Sequence, residues 1–173
     1  MACTLNNGLQ IDLCNSNQGG VLKLYIQNYD ERTFTYGAGA SASLITAISG
    51  ATPSFYTHEL PRQSSSYTST STTDDITGTT VYDETGEFIV HSVNTATLER
   101  LKSLSKGKFR LIFYDNNGKY IMFGKERGVR INVAVTSGKA DNEMNGATLT
   151  IVGREKELPY EVSASLVASI ATV

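Results

Sequence analysis

The segment that most constrains the fold of this chain is Phe109 to Gly124. Two aromatic and aliphatic arms, Phe109 to Tyr114 and Lys119 to Gly124, flank the tetrapeptide Asp115-Asn116-Asn117-Gly118. Asn-Gly supplies the positive φ angles that a tight hairpin turn needs, and arms of this composition suit pleated strands. The segment therefore predicts a β-hairpin at the heart of the core. Just before it, Thr95 to Lys106 predicts the one clear helix: Asn94 or Thr95 is a good N-cap, Leu98, Leu101 and Leu104 form an apolar stripe, and Gly107 is placed to end it. The stripe should lie on the sheet.

Further strands read from their alternation. Val21 to Gln27 follows a Gly19-Gly20 turn and sets Leu22, Leu24 and Ile26 on one face. Phe55 to Leu60 is a short strand stopped by Pro61, and Val129 to Thr136 and Ala147 to Val152 alternate on either side of the Asn145-Gly146 turn. Ser64 to Thr73 is a run of Ser, Thr and Tyr that suits a polar strand, with Thr79 to Tyr82 and Glu87 to Ser92 as pairing partners around a turn at Asp83-Glu84-Thr85-Gly86. A strand with two polar faces is either wet on both or paired with another subunit. Gly37 to Ser54 is rich in small residues, with Leu44, Ile45 and Ile48 as its large aliphatics, and reads as a loop or inter-subunit arm that packs on a neighbour. The tail at about 160–173, with Leu166-Val167-Ala168-Ser169-Ile170, reads as a last strand or an arm on another subunit. The expected fold is mainly β, an antiparallel β-sandwich or small barrel with one flanking α-helix at about 95–106, in a single domain spanning 1–173.

Composition agrees with that reading: Thr, Ser, Gly and Tyr are abundant, Trp is absent and there are three prolines. With a formal charge of −2 and no cationic cluster, the chain lacks the field that gathers nucleic acid, so tight DNA binding is not expected. No stretch approaches the roughly 20 apolar residues of a membrane span, and the start lacks the pattern of a secretory signal. Synthesis in the cytoplasm is expected. Cys3 and Cys14 cannot by themselves complete a four-ligand zinc site; they read as small packed thiols, or as a disulfide if the finished protein lives outside the cell.

Residues that could carry catalysis are few. His58 and Glu59 are neighbours on a strand and so point to opposite faces, while His91 ends a strand without a partner at metal-binding spacing. Asp74-Asp75, Asp83-Glu84 and Asp141-Asn142-Glu143 read as solvated turn carboxylates without calcium-loop spacing. No phosphate-binding loop, dinucleotide fingerprint, nucleophile elbow or histidine pair is present. The chain is read as a non-enzyme that needs no cofactor or metal.

The helix ending at Gly107, the hairpin from Phe109 to Gly124, and Gly138-Lys-Ala-Asp-Asn-Glu-Met-Asn-Gly146 leading into a strand that closes on Gly153-Arg154-Glu155 appear in an order that resembles phage tail-tube and related virion proteins of Bacteroidetes-type phages. The resemblance spans roughly Tyr82 to Pro159. It implies a virion structural protein, made in the host cytoplasm, that self-assembles into hexameric rings. Inner strands would join into a β-lined channel, and rings would stack head to tail. The partners it implies are copies of the chain, other tail or capsid proteins, and DNA in transient passage. On that picture Tyr67, Ser69, Ser71, Asp74 and Asp75 face the lumen, and Leu44, Ile45 and Ile48 belong to the inter-subunit arm. The alternatives are a capsid auxiliary or decoration protein and a carbohydrate-binding or adhesin-like β-sandwich; the last is disfavoured by the absence of Trp for sugar stacking.

Overall fold

The computed structural model describes residues 18–50, 54–91, 93–139 and 143–172. Cys3 and Cys14 lie outside these residues, as do Asp141 and Asn142. In chain order the strands are β1 Val21–Asn28, β2 Phe34–Tyr36, β3 Leu44–Ile48, β4 Phe55–Glu59, β5 Ser66–Asp74 and β6 Thr79–His91. Helix α1, Thr95–Lys106, precedes β7 Phe109–Asp115, β8 Tyr120–Phe123, β9 Arg130–Thr136, β10 Gly146–Glu155 and β11 Tyr160–Val162. Helix α2, Ala164–Ile170, and the two-residue strand β12, Ala171–Thr172, follow.

The protein is mainly β. One sheet has the order β12-β4-β1-β7-β8-β11-β3-β2 and the other the order β5-β6-β10-β9. The two pack face to face around a first core that takes Leu24 and Ile26 from β1, Phe88 from β6, Leu111 and Phe113 from β7, and Leu149 and Ile151 from β10. Alternation puts the next residue along each strand on the opposite face. Tyr25, Ile112 and Met122 accordingly join Ile45, Phe55, Val162, Val167 and Ile170 in a second core, where the curled eight-stranded sheet packs against α2. A bulge between Val21 and Lys23 shifts the start of β1, so Val21 rather than Leu22 enters the first core.

The predicted hairpin is β7–β8, with Phe113 opposite Ile121 and Tyr114 opposite Tyr120. Its turn is closed by Asp115, whose Oδ1 accepts from the backbone N–H groups of Asn117 and Lys119 at 2.8 Å each. Helix α1 is capped by Asn94, whose Oδ1 accepts from Thr97 N at 2.8 Å; Leu101 is buried in the first core and Leu104 packs against it.

Three expectations are corrected. Gly37 to Ser54 is not a free arm: β3 pairs antiparallel with β2 and parallel with β11, and Ile45 is fully buried in the second core of its own chain. The tail from 160 is likewise folded back on its own chain, as β11, α2 and β12, with Val167 and Ile170 buried. Ser163 starts α2 by accepting from Leu166 N, so the fold carries a second helix that the expected architecture lacked. Finally, Asp83 to Gly86 is not a turn. β6 runs unbroken for 13 residues, and the chain reverses instead at Asp75 to Gly78. Gly86 serves close packing: a Cβ there would stand 3.1 Å from Ser66 O and 3.3 Å from Ile151 Cδ1.

Candidate assembly surface

Every strand of the eight-stranded sheet that lies at an edge is short: β12 has two residues and β2 has three. The four-stranded sheet is different. Its edge strand β5 has nine residues, Ser-Tyr-Thr-Ser-Thr-Ser-Thr-Thr-Asp, with no Pro and no Lys, and among the described residues it pairs with β6 alone. Short strands, prolines and lysines are the devices that blunt a sheet edge, and β5 uses none of them. The opposite edge, β9, has no further strand beside it among the described residues and is flanked by α1.

The residues expected to face a lumen divide between the two faces of β5. Tyr67 points inward: its ring stacks on Phe113 at 5.0 Å between centroids and meets Phe123 edge-on at 5.5 Å. Ser69 lies on the same inward face, opposite Glu84, with its hydroxyl buried. Ser71 shares that parity but is exposed, because by this point the hairpin has nearly outrun the core. Asp74 has the opposite parity, and Asp75 is exposed in the turn. The outward residues are therefore Thr68, Thr70, Thr72 and the expected Asp74, while Tyr67, Ser69 and Ser71 are one register step from that face because the Tyr67 ring is taken by the aromatic core. Across β6 and β10 the same outer face carries Asp83, paired with Arg154 at 2.6 Å, together with Thr85, Glu87 and Thr150. Val152, 47% exposed, and Arg130 of β9 lie on the same face, so it is a surface of hydroxyls with one apolar side chain and a light, mixed charge.

A second feature, missed by reading Asp83-Glu84 as a turn, holds the two sheets in register. The segment joining β8 to β9 is gripped by two buried carboxylates of the four-stranded sheet. Glu84 is 1% exposed and its Oε2 accepts from Gly124 N at 2.8 Å; Glu155 Oε1 accepts from Glu126 N at 3.1 Å and Arg127 N at 2.8 Å. Burial pushes the Glu84 carboxyl up to about 8; the Gly124 N–H pulls the other way, and the neighbouring Glu155 adds to the rise. From the other side the buried Arg110 donates through Nη2 to Lys125 O at 3.1 Å and Asp30 O at 3.0 Å. Lys125 reaches Glu157 at 2.8 Å with its ammonium 3.9 Å from the centre of the Tyr160 ring. Burial opposes its charge, yet the Glu157 bond and the two tyrosines Tyr36 and Tyr160 lift it to about 12. Most of these polar groups are engaged with loop backbone or with one another, the arrangement of an anchor. Glu155, the last residue of the Gly153-Arg154-Glu155 motif, is one of its two carboxylates.

The histidines sit apart from that anchor. His58 and His91 line one cleft between β4 and the end of β6, and burial, followed by the nearby Arg100, draws the His58 pKa below its ordinary value. Among the described residues no group of three or more His, Cys, Asp or Glu side chains is placed to hold a metal ion, and no helix is long and apolar enough to cross a membrane. Compared with protein-family models, curated proteins and solved structures, the chain finds no match.

Proposed function

We propose that the chain is a structural building block that assembles with copies of itself, and that its assembled form is the stacked-ring tail tube of a phage virion. The observation that carries this reading is the open edge β5. A nine-residue strand that has no partner on one side among the described residues, with hydroxyl side chains facing water, is a template for another strand. Every copy brings β5 at one edge and β9, with α1 beside it, at the other, so a sheet extended through β5 can continue from copy to copy. Closure into rings, hexameric as the resemblance implies, leaves no free edge. Stacking of rings is a heterologous contact that does not close, which is how a filament grows.

In such a ring the outward face of the four-stranded sheet supplies the lining. Thr68, Thr70, Thr72, Thr85 and Thr150 offer phosphate only hydroxyls, Arg154 is held by Asp83, and Arg130 adds a single exposed cation per copy. DNA would pass without being gripped. Negative-stain electron microscopy of the purified chain at rising concentration tests the reading. Hollow rings or tubes are the expected result. A uniform monomer or small closed oligomer at every concentration and salt would overturn it and favour a capsid-bound role.

A further inference from the structure

The β5–β6 hairpin outruns the sheet that carries it. β10 stops pairing with β6 at Glu155 and Tyr82, so among the described residues Thr72 to Val81 have only each other as partners. The tip is nevertheless well built. Asp74 Oδ1 accepts from Ile76 N at 2.8 Å, Gly78 N donates to Asp74 O at 2.8 Å, and Thr73 and Thr80 share a hydroxyl rung at 3.0 Å. This turn presents Ile76 with 95% of its surface in water, beside the carboxylates of Asp74 and Asp75. A branched apolar side chain held out on an ordered acidic turn is available as the anchor of a contact with another surface.

The same chain carries a fitting recess at the other end of the same strand. A cleft of about 530 Å³ is lined by Leu60, Pro61, Phe88 and Val90, with His58 and His91. Of two other clefts, one is lined by Asp115 as well as Val21 and Tyr67, so a carboxylate there opposes an acidic tip, and the other is lined mainly by Gln18, Arg62, Gln63 and Asn116. Charge favours the first cleft as well. The tip has two carboxylates and no cation, whereas Arg100 lies close enough to His58 to affect its protonation, and the one nearby carboxylate, Glu59, is engaged by Lys23 at 3.5 Å. The run of β6 from Thr79 beside the tip to Ile89 at the cleft covers roughly 33 Å at about 3.3 Å per residue.

We propose that the Ile76 tip of one copy docks in the Leu60–Phe88–Val90 cleft of the next, so that copies join head to tail along the direction of β6. The partner is a second copy of this chain, and the contact is heterologous: tip and cleft are different surfaces, each left free at one end of the chain of copies. The inference rests on the self-assembly reading and names the surfaces that would stack one ring on another.

The test is a photo-crosslinker, p-benzoylphenylalanine, placed at position 76 of the full chain and irradiated at assembling concentration, with the joined peptides read by mass spectrometry. Intermolecular links to Thr57–Pro61 or Phe88–His91 are expected. Alongside, Ile76→Asp should reduce long assemblies at least tenfold while leaving single rings, and Ile76→Leu should restore them. Rings or tubes whose links fall elsewhere, or an Ile76→Asp variant that stacks as well as the parent, would overturn the docking and leave the self-assembly reading standing. A chain that neither assembles nor cross-links at any concentration overturns both. Links to the cleft in open head-to-tail chains without rings keep the docking and remove the tube.

Discussion

The two sheets treat their edges in opposite ways. The eight-stranded sheet ends in β2 and β12, three and two residues long, and wraps the chain's own helix α2 into its curl. The four-stranded sheet ends in nine residues of Ser, Thr, Tyr and Asp, then extends β5 and β6 as a ribbon beyond its own neighbours. One sheet is finished within the monomer; the other is left open. Edge exposure costs solubility unless it serves pairing, so the contrast supports the proposal that the four-stranded sheet is the part of the molecule that meets other copies.

Substitutions separate the shared core from the open edge. Phe113 lies between the sheets and contacts the rings of Tyr67 and Phe123; Phe113→Ala should cost about 3–5 kcal/mol in urea unfolding and lower both sheets in one transition. Separate transitions would break the comparison, since the open sheet would then be an independent unit. Glu84 joins the sheets through a proton. Its carboxyl is raised to about 8 in the fold from an ordinary value near 4.5, so the folded state binds more protons between those values, and its contribution is fully present below about 4.5 and lost as pH rises toward 8. The loss approaches roughly 1.4 kcal/mol per pH unit at most, and Glu84→Gln should flatten the stability profile across that window. Gly124 takes φ 69°, and a Cβ there would stand only 2.9 Å from Gly128 Cα and Phe109 O, so Gly124→Ala should destabilise by about 1–3 kcal/mol in the same assay. Asn94→Ala removes one helix cap and about 1 kcal/mol. Smallest of all on stability is Thr70→Lys on the open edge, within about 0.5 kcal/mol for the monomer, yet it should suppress ring formation seen by electron microscopy.

Local pattern made much of this legible. The β7–β8 hairpin, α1 with its Asn94 cap, and β9 and β10 each announce themselves within a dozen residues, through turn chemistry or alternation. What stayed hidden depends on distant partners. The parallel pairing of β3 with β11 brings Ile45 opposite Val162, across more than a hundred residues of chain, and nothing in a stretch of Gly, Ala and Ser signals it. Asp83-Glu84-Thr85-Gly86 has the composition of a turn, but the packing of Gly86 against Ile151 and the burial of Glu84 under Gly124 make it strand. The face of β5 was readable in principle. Tyr67 is the only aromatic residue in that strand, and placing it inward would have put Thr68, Thr70 and Thr72 in water from the start. The composition of Leu166 to Ile170 was compatible with strand or helix, and the Ser163 cap decided it.

The central claim is that the four-stranded sheet meets other copies through β5, and amide hydrogen exchange read by mass spectrometry on dispersed and assembled protein tests it most directly. The account predicts that peptides covering Ser66–Asp74 slow markedly on assembly, while those covering β2, Phe34–Tyr36, exchange at an unchanged rate. Assemblies in which Ser66–Asp74 exchange as fast as in the dispersed chain would contradict it.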